Sequence, residues 1–310
     1  MLPTTLRDGA YVPKRVKEEI DFDGPIERGA KKMRAQRVQE FLTLNGFAVS
    51  IDGDFGPATE KPVRDFQTAS GLPATGVVDM KTHEELVAPI VKALNPIAAG
   101  GKSLSTLAAA YAKQHIKNHP KEGGGDNRGP WVRSYLDWDG KDARWCAGFV
   151  CFALEQAAHT LGVNLPIDSS SSCDVLAMEA KTAGKFVPES KVKSGAFAKK
   201  DLVPGTFFLV RKVPGDWVHV GIVTEPAKES FDTAEGNTDS GGSSNGFEAA
   251  ERARDYRSKD FIVWQQWTTG GASQLAPYEP YCLAPEMSVA SSFPPALICG
   301  RSRTVANRLE

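Results

Sequence analysis

Cys146, His219 and Glu235 are the residues of this 310-residue chain whose types and order could carry covalent chemistry. Cys146 opens the run Ala-Gly-Phe-Val-Cys-Phe-Ala-Leu-Glu-Gln-Ala-Ala158, apolar on most of its circumference. That pattern predicts a largely buried helix with the thiol at its start. Helix-terminal N–H groups and the macrodipole favour a thiolate there, which lowers the thiol pKa. His219 lies in Trp217-Val-His-Val-Gly-Ile-Val-Thr224, which reads as a strand. Alternation puts Val218 and Val220 on one face and the imidazole on the other. With the valines in a core, His219 faces out of that layer, towards the start of the Cys146 helix. Glu235 follows sixteen residues later, at the end of the next strand. Nucleophile, base and orienting carboxylate would then be complete. Asn237 stands two residues further on, and period two points it to the same face as Glu235. A carboxylate stabilises an imidazolium better than an amide does, so Glu235 is the expected partner of His219 and Asn237 a polar support or substrate contact. Residue types alone leave a second reading open. Cys146 can be a small buried hydrophobe at a helix start, and His219 a strand histidine bonded to backbone.

The elements that must position these residues follow from periodicity. Thr206-Phe-Phe-Leu-Val210 and Trp217–Thr224 alternate as strands around the turn Pro214-Gly215-Asp216. Ser230–Glu235 and Phe261–Trp267 are further strand candidates. Helices before an antiparallel strand block predict an α+β domain. Upstream, Val38, Phe41, Leu42 and Phe47 recur at helical spacing, and Gly46 closes that helix. The turn Ile51–Thr59 leads into a second helix with Val63, Phe66 and Gln67, ended by Gly71-Leu72-Pro73. Asp52–Thr59 is echoed by Thr75–Thr82, each a turn with a Thr just before a helix. Together they predict a small three-helix unit. The expected domains are an N-terminal arm at 1–30, the three-helix unit at 31–88, a Pro/Gly linker at 89–104, an α+β domain at 105–268, and an irregular tail at 269–310.

Composition bounds the partners. There are 37 Lys+Arg against 38 Asp+Glu, a balance that argues against a nucleic-acid binder. With 41% apolar and 24% charged residues, wholesale disorder is excluded. No apolar run is long enough to span a membrane. The opening MLPTTLRDGAYVPKRVKEE lacks the apolar core of a signal peptide. Five cysteines form no CxxC pair. Cys151, Cys173, Cys282 and Cys299 read as reduced thiols, although Cys282 and Cys299 can also pair in an oxidising setting. His115 and His119 lie one helical turn apart, a zinc-compatible spacing, but no third ligand is evident and solvent exposure is expected. His83 and His159 read as surface residues of helices. No cofactor and no metal are expected, and the chain reads as a monomer.

A series of ordered segments resembles one family. Arg144-Trp-Cys-Ala-Gly-Phe-Val150, Gly215-Asp-Trp-Val-His-Val-Gly-Ile-Val223 and Ala234-Glu-Gly-Asn-Thr238 resemble the motifs of the CHAP family, the cysteine- and histidine-dependent amidohydrolases and peptidases. Asp126–Tyr135 resembles the approach to the Cys helix in one branch, and Gly241–Gly246 with Arg252-Ala-Arg254 resembles that branch's end. The resemblance implies a papain-like catalytic domain, its Cys helix packed on an antiparallel sheet. It implies Cys146 as nucleophile, His219 as base, Glu235 as orienting group and Asn237 as a polar site position. Some members bind calcium at positions resembling Asp137 and Asp139, near Asp142. The remaining ligands are unmatched and Lys141 is a poor neighbour, so no calcium is assigned.

Residues 31–88 are similar to the three-helix peptidoglycan-binding domain, through Val38-Gln-Glu-Phe-Leu42, Asn45-Gly-Phe47, Asp52–Thr59 and Val63-Arg-Asp-Phe-Gln67. Pro62 departs from the pattern; with Thr59 as N-cap it would fall harmlessly in the first turn. The two resemblances imply a peptidoglycan hydrolase, an N-acetylmuramoyl-L-alanine amidase or a peptidoglycan endopeptidase, that cuts a stem-peptide amide through a Cys-His-Glu mechanism. The expected partner is bacterial peptidoglycan, with no nucleic acid and no membrane. Delivery by phage lysis or a dedicated secretion system is expected. The rival expectations are a non-catalytic wall-binding protein and an amidase acting on a small amide outside the wall.

Overall fold

The computed structural model describes residues 1–264. The tail at 269–310, with Cys282 and Cys299, and the end of the strand candidate Phe261–Trp267 lie outside the described residues. Helices come first: α1 (Lys14–Ile20), α2 (Met33–Leu44), α3 (Pro57–Ala69), α4 (Met80–Ala93), α5 (Leu104–Ile116), α6 (Pro130–Leu136), α7 (Cys146–Leu161) and α8 (Cys173–Thr182). The strands β1 (Phe186–Val187), β2 (Phe207–Val213), β3 (Asp216–Pro226), β4 (Ser230–Thr238), β5 (Glu248–Asp255) and β6 (Lys259–Ile262) follow, with a short helix α9 (Glu189–Ser194) after β1. The six strands form one antiparallel sheet in the order β1-β6-β2-β3-β4-β5. The layout is α+β.

In α2 to α4 a repeated device closes the two turns. The buried Gln39 accepts from the N–H groups of Asp52 and Gly53 and donates to Asp52, Asp54 and Thr59. Gln67 does the same one helix later. It accepts from Gly76 N–H and donates to Thr75, Val77 and Thr82. Each amide thereby satisfies turn groups that would otherwise be buried unpaired.

Three expectations need correction here. The segment 1–30 is not an arm. Val16 and Ile20 of α1 are buried, the helix packs on α4 and α6, and Ile26 bridges Val78 through two backbone hydrogen bonds. A seven-residue helix offers one i,i+4 apolar pair, too little to show a period. The linker does not begin at 89. Leu86–Ile90 and Val87–Val91 carry the buried stripe of α4 through Pro89 to Ala93. Pro62 is not in the first turn of its helix. Pro57 starts α3 after Gly56, so Pro62 lies inside and cannot donate to the Ala58 carbonyl. Thr59 instead faces Gln39 and the Asp54 carbonyl.

The two halves meet at Arg133 of α6. Its guanidinium forks onto Glu19 of α1 (2.8 and 2.9 Å), Glu40 of α2 (2.6 and 3.2 Å) and Asp139 (2.7 Å). All four side chains are largely buried. Burial alone would weaken the arginine's hold on its proton, but Glu19 and Glu40 reverse that and raise its pKa. A buried guanidinium surrounded by carboxylates is costly to break from one side. Replacement of Arg133 by Met is expected to lower stability by about 3–5 kcal/mol, because Glu19 and Glu40 stay buried and keep only Arg37 and Gln36 as side-chain partners. The urea midpoint of the two proteins measures it.

Candidate active site

α7 is buried along almost its whole length against β3, β4 and α5. Two glycines set its depth. A Cβ on Gly148 would lie 2.9 Å from the Tyr135 carbonyl oxygen of α6, and one on Gly236 of β4 would lie 2.6 Å from Phe149. Helix, α6 and sheet therefore meet at backbone distance, which fixes where Cys146 stands. Trp145 precedes it as N-cap residue, with no side-chain cap on the helix. Its first-turn N–H groups therefore have no side-chain cap. The Trp145 indole stacks on Tyr135 and donates to Glu122 at 3.1 Å.

The β3–β4 ladder pairs Ile222 with Ala234 and runs to Pro226 with Phe231. His219 and Glu235 lie just beyond its end. Val220 and Ile222 belong to the core under the helices, so His219 alternates to the face shared with Phe208. His219 Nε2 meets Glu235 Oε2 at 2.8 Å, and both side chains are essentially without solvent contact. Glu235 is held further by Thr233 Oγ1 (2.6 Å) and by Arg254, through Nε (2.8 Å) and Nη2 (2.5 Å). Burial would raise the Glu235 pKa, but Arg254 and His219 outweigh it and bring it down to about 2.

His219 Nδ1 has no hydrogen-bond partner. Cys146, 3% exposed, is near enough for thiol and imidazole to shift one another's ionisation without a formed hydrogen bond. Looseness of this kind is common before substrate binds. The Cys146 pKa is held well below the ordinary thiol range by the Cys173 thiol, 3.9 Å away, and by His219, against the effect of burial. Val220 N–H favours the thiolate as well. Burial disfavours the His219 imidazolium, yet Cys146 and Glu235 prevail and push its pKa to about 9. Such a set can hold a thiolate beside an imidazolium at neutral pH, with the carboxylate fixing the ring.

Asn237 is not beside Glu235. Its φ of 53° and a register shift after Glu235 break the alternation. The amide turns to Asn127 Oδ1 (3.0 Å), the Gly246 carbonyl (2.6 Å) and Glu122 (3.4 Å). Asn237 thus buttresses the 237–246 loop rather than the imidazole. Three neighbours were missed in the sequence: Thr233, Arg254 and Cys173. Thr233 was legible, since it stands two residues before Glu235 on the same strand. Arg254 and Cys173 arrive from distant elements, and no local spacing gives either a place at the site.

The other flagged residues find structural partners. His115 is buried, not exposed, between Tyr135 (2.9 Å) and Gln156 (2.8 Å), and burial lowers its pKa to about 4. His83 is also buried, against the Ile20 carbonyl. His119 and His159 are exposed. Asp139 is taken up by Arg133 and the Gly129 N–H. No group of three or more potential metal ligands occurs among the described residues.

Comparison with known proteins bears on the helical half. Residues 34–86 match the family of peptidoglycan binding domains. The Gln39 turn, the Gln67 turn and all of α3 fall within the match. No curated protein and no solved structure matches the chain. No helix among the described residues is long and apolar enough to cross a membrane.

The site leaves a signature in stability against pH. Glu235 has a folded-state pKa below its usual 4.5, so its contacts add stability above that value and lose it as pH falls towards about 2. His219 has the opposite sign. Its contribution is complete below 6.5 and is lost as pH rises through about 9. Thermal melts across pH should show Glu235→Gln losing less stability than the parent between about 4.5 and about 2.

Proposed function

We propose that the chain is a peptidoglycan hydrolase that cleaves an amide of the stem peptide, or the amide joining it to the glycan, with Cys146 as nucleophile. On this reading the helix-on-sheet half is a papain-like CHAP domain. The observation that carries the proposal is the buried Cys146–His219–Glu235 set at an uncapped helix start, in one chain with a peptidoglycan-binding domain. The binding domain supports the wall as the place of action. Holding the catalytic half on an insoluble polymer raises the local substrate concentration, so a weak module suffices.

The chemistry follows from the charges. The Cys146 thiolate attacks the amide carbonyl, with its proton already on His219 Nδ1. First-turn N–H groups of α7, that of Cys146 among them, receive the oxyanion. His219 passes the proton to the leaving amine and then draws one from water, which releases the acyl group. Glu235 keeps the ring oriented through Nε2 and stays ionised throughout, because Arg254 and Thr233 hold it.

Cys146→Ser is expected to abolish release of soluble fragments from purified peptidoglycan, while the protein still sediments with the insoluble wall. Glu235→Gln should lower turnover by about a hundredfold or more. Asn237→Ala should cost less, since it acts through the loop. Activity equal to the parent in a folded Cys146→Ser protein would refute the mechanism. Sedimentation without fragment release in the parent itself would leave a wall-binding protein only. Mass spectrometry of the fragments identifies the bond.

A further inference from the structure

A second thiol stands beside the first. Cys173 is the opening residue of α8, and its sulfur lies 3.9 Å from that of Cys146. Both are nearly buried, at 8% and 3% exposure. Each sits in the first turn of its helix, so two helix N-termini converge on one pair of sulfurs. α8 is anchored in this place. Asp174 accepts from Trp217 N–H at 2.8 Å, and Lys181 lies over the Trp217 and Phe186 rings. A hydrolase of the kind described has no step for Cys173.

We propose that Cys146 and Cys173 are a reversible oxidation site, in which a peroxide converts the pair to a disulfide and a dithiol restores it. The sulfurs stand about 2 Å further apart than in a bond. The Cys146 thiolate attacks one peroxide oxygen and the O–O bond breaks. The departing hydroxide takes the His219 proton and leaves as water. Cys146 is now a sulfenic acid. The Cys173 sulfur attacks the Cys146 sulfur, the S–O bond breaks, and hydroxide leaves as water with the Cys173 proton. Two thiols lose two electrons and two protons, and one peroxide becomes two waters.

The order of events follows from the charges. Cys146 is the thiolate and reacts first; Cys173 is held protonated beside it and resolves. Cys151, one and a half turns along α7, is excluded. Its thiol bonds the Ser170 carbonyl at 3.5 Å, and burial pushes its pKa to about 12. The disulfide removes the nucleophile, so its effect on activity rests on the hydrolase reading. The bond itself does not.

The test treats the full chain with dilute hydrogen peroxide and maps peptides without reduction. A peptide joining Cys146 to Cys173, two hydrogens lighter than its parts and split by dithiothreitol, is the expected result, with Cys151 still a thiol. In Cys173→Ser, Cys146 should instead accumulate as the sulfinic acid, which dithiothreitol does not reverse. Cys146 joined to Cys151, Cys282 or Cys299, or sulfinic acid formed equally fast in both proteins, would overturn the proposal. If that variant does not fold, the linked peptide from the parent decides alone. A linked pair in a protein that releases no fragments from peptidoglycan keeps this proposal and sinks the hydrolase.

Discussion

A carboxylate without solvent, Glu235, is the constraint around which the sheet half is arranged. An ionised carboxylate in such a place must be paired and hydrogen-bonded, or it takes up a proton. Three side chains do this from three strands: His219 on β3, Thr233 on β4 itself and Arg254 on β5. Arg254 is tied in turn to the Gly242 carbonyl of the loop between β4 and β5. The charge therefore dictates where β3 and β4 part and how β5 lies. It also leaves one imidazole nitrogen unpaired next to a thiol.

That dependence explains what the sequence could and could not disclose. The α7 helix was legible because a long apolar run needs burial, and the β3 strand because valines flank one polar residue. The Glu235–His219 contact was legible as chemistry, since a carboxylate complements an imidazolium. Asn237 was misread because period two holds only while backbone angles stay extended, and a φ of 53° ends it. Arg254 and Cys173 reach the site through tertiary packing, which no local spacing encodes. His115 and His83 were assigned to solvent by default; their buried partners lie 20 or more residues away.

The same limits hold in the helical half. The turns were read as turns, yet what holds them is one buried glutamine apiece. Gln39 and Gln67 are polar residues buried among apolar ones on α2 and α3, a signal present in the sequence once the echo between the turns is noticed. The N-terminal segment reads as an arm because it is charged and carries Pro13, Gly24 and Pro25 without a clear period. One of those charges, Glu19, is the buried partner of Arg133.

On the proposed reading, the Arg133 junction has a mechanical consequence. A flexible linker lets a catalytic half search a volume, and effective concentration then depends on linker length. Here α1, α2 and α6 are joined by charges that are costly to separate, and α6 meets the Cys146 helix at Gly148. The path from the peptidoglycan-binding helices to the thiol thus runs through packed elements rather than free chain. On the proposed reading, a wall strand bound by the helical half is presented to Cys146 at a fixed distance and direction. Rigidity of that kind narrows the set of amides within reach. The geometry of the junction, as much as the pocket around the thiol, would then decide which bond of the polymer is cut.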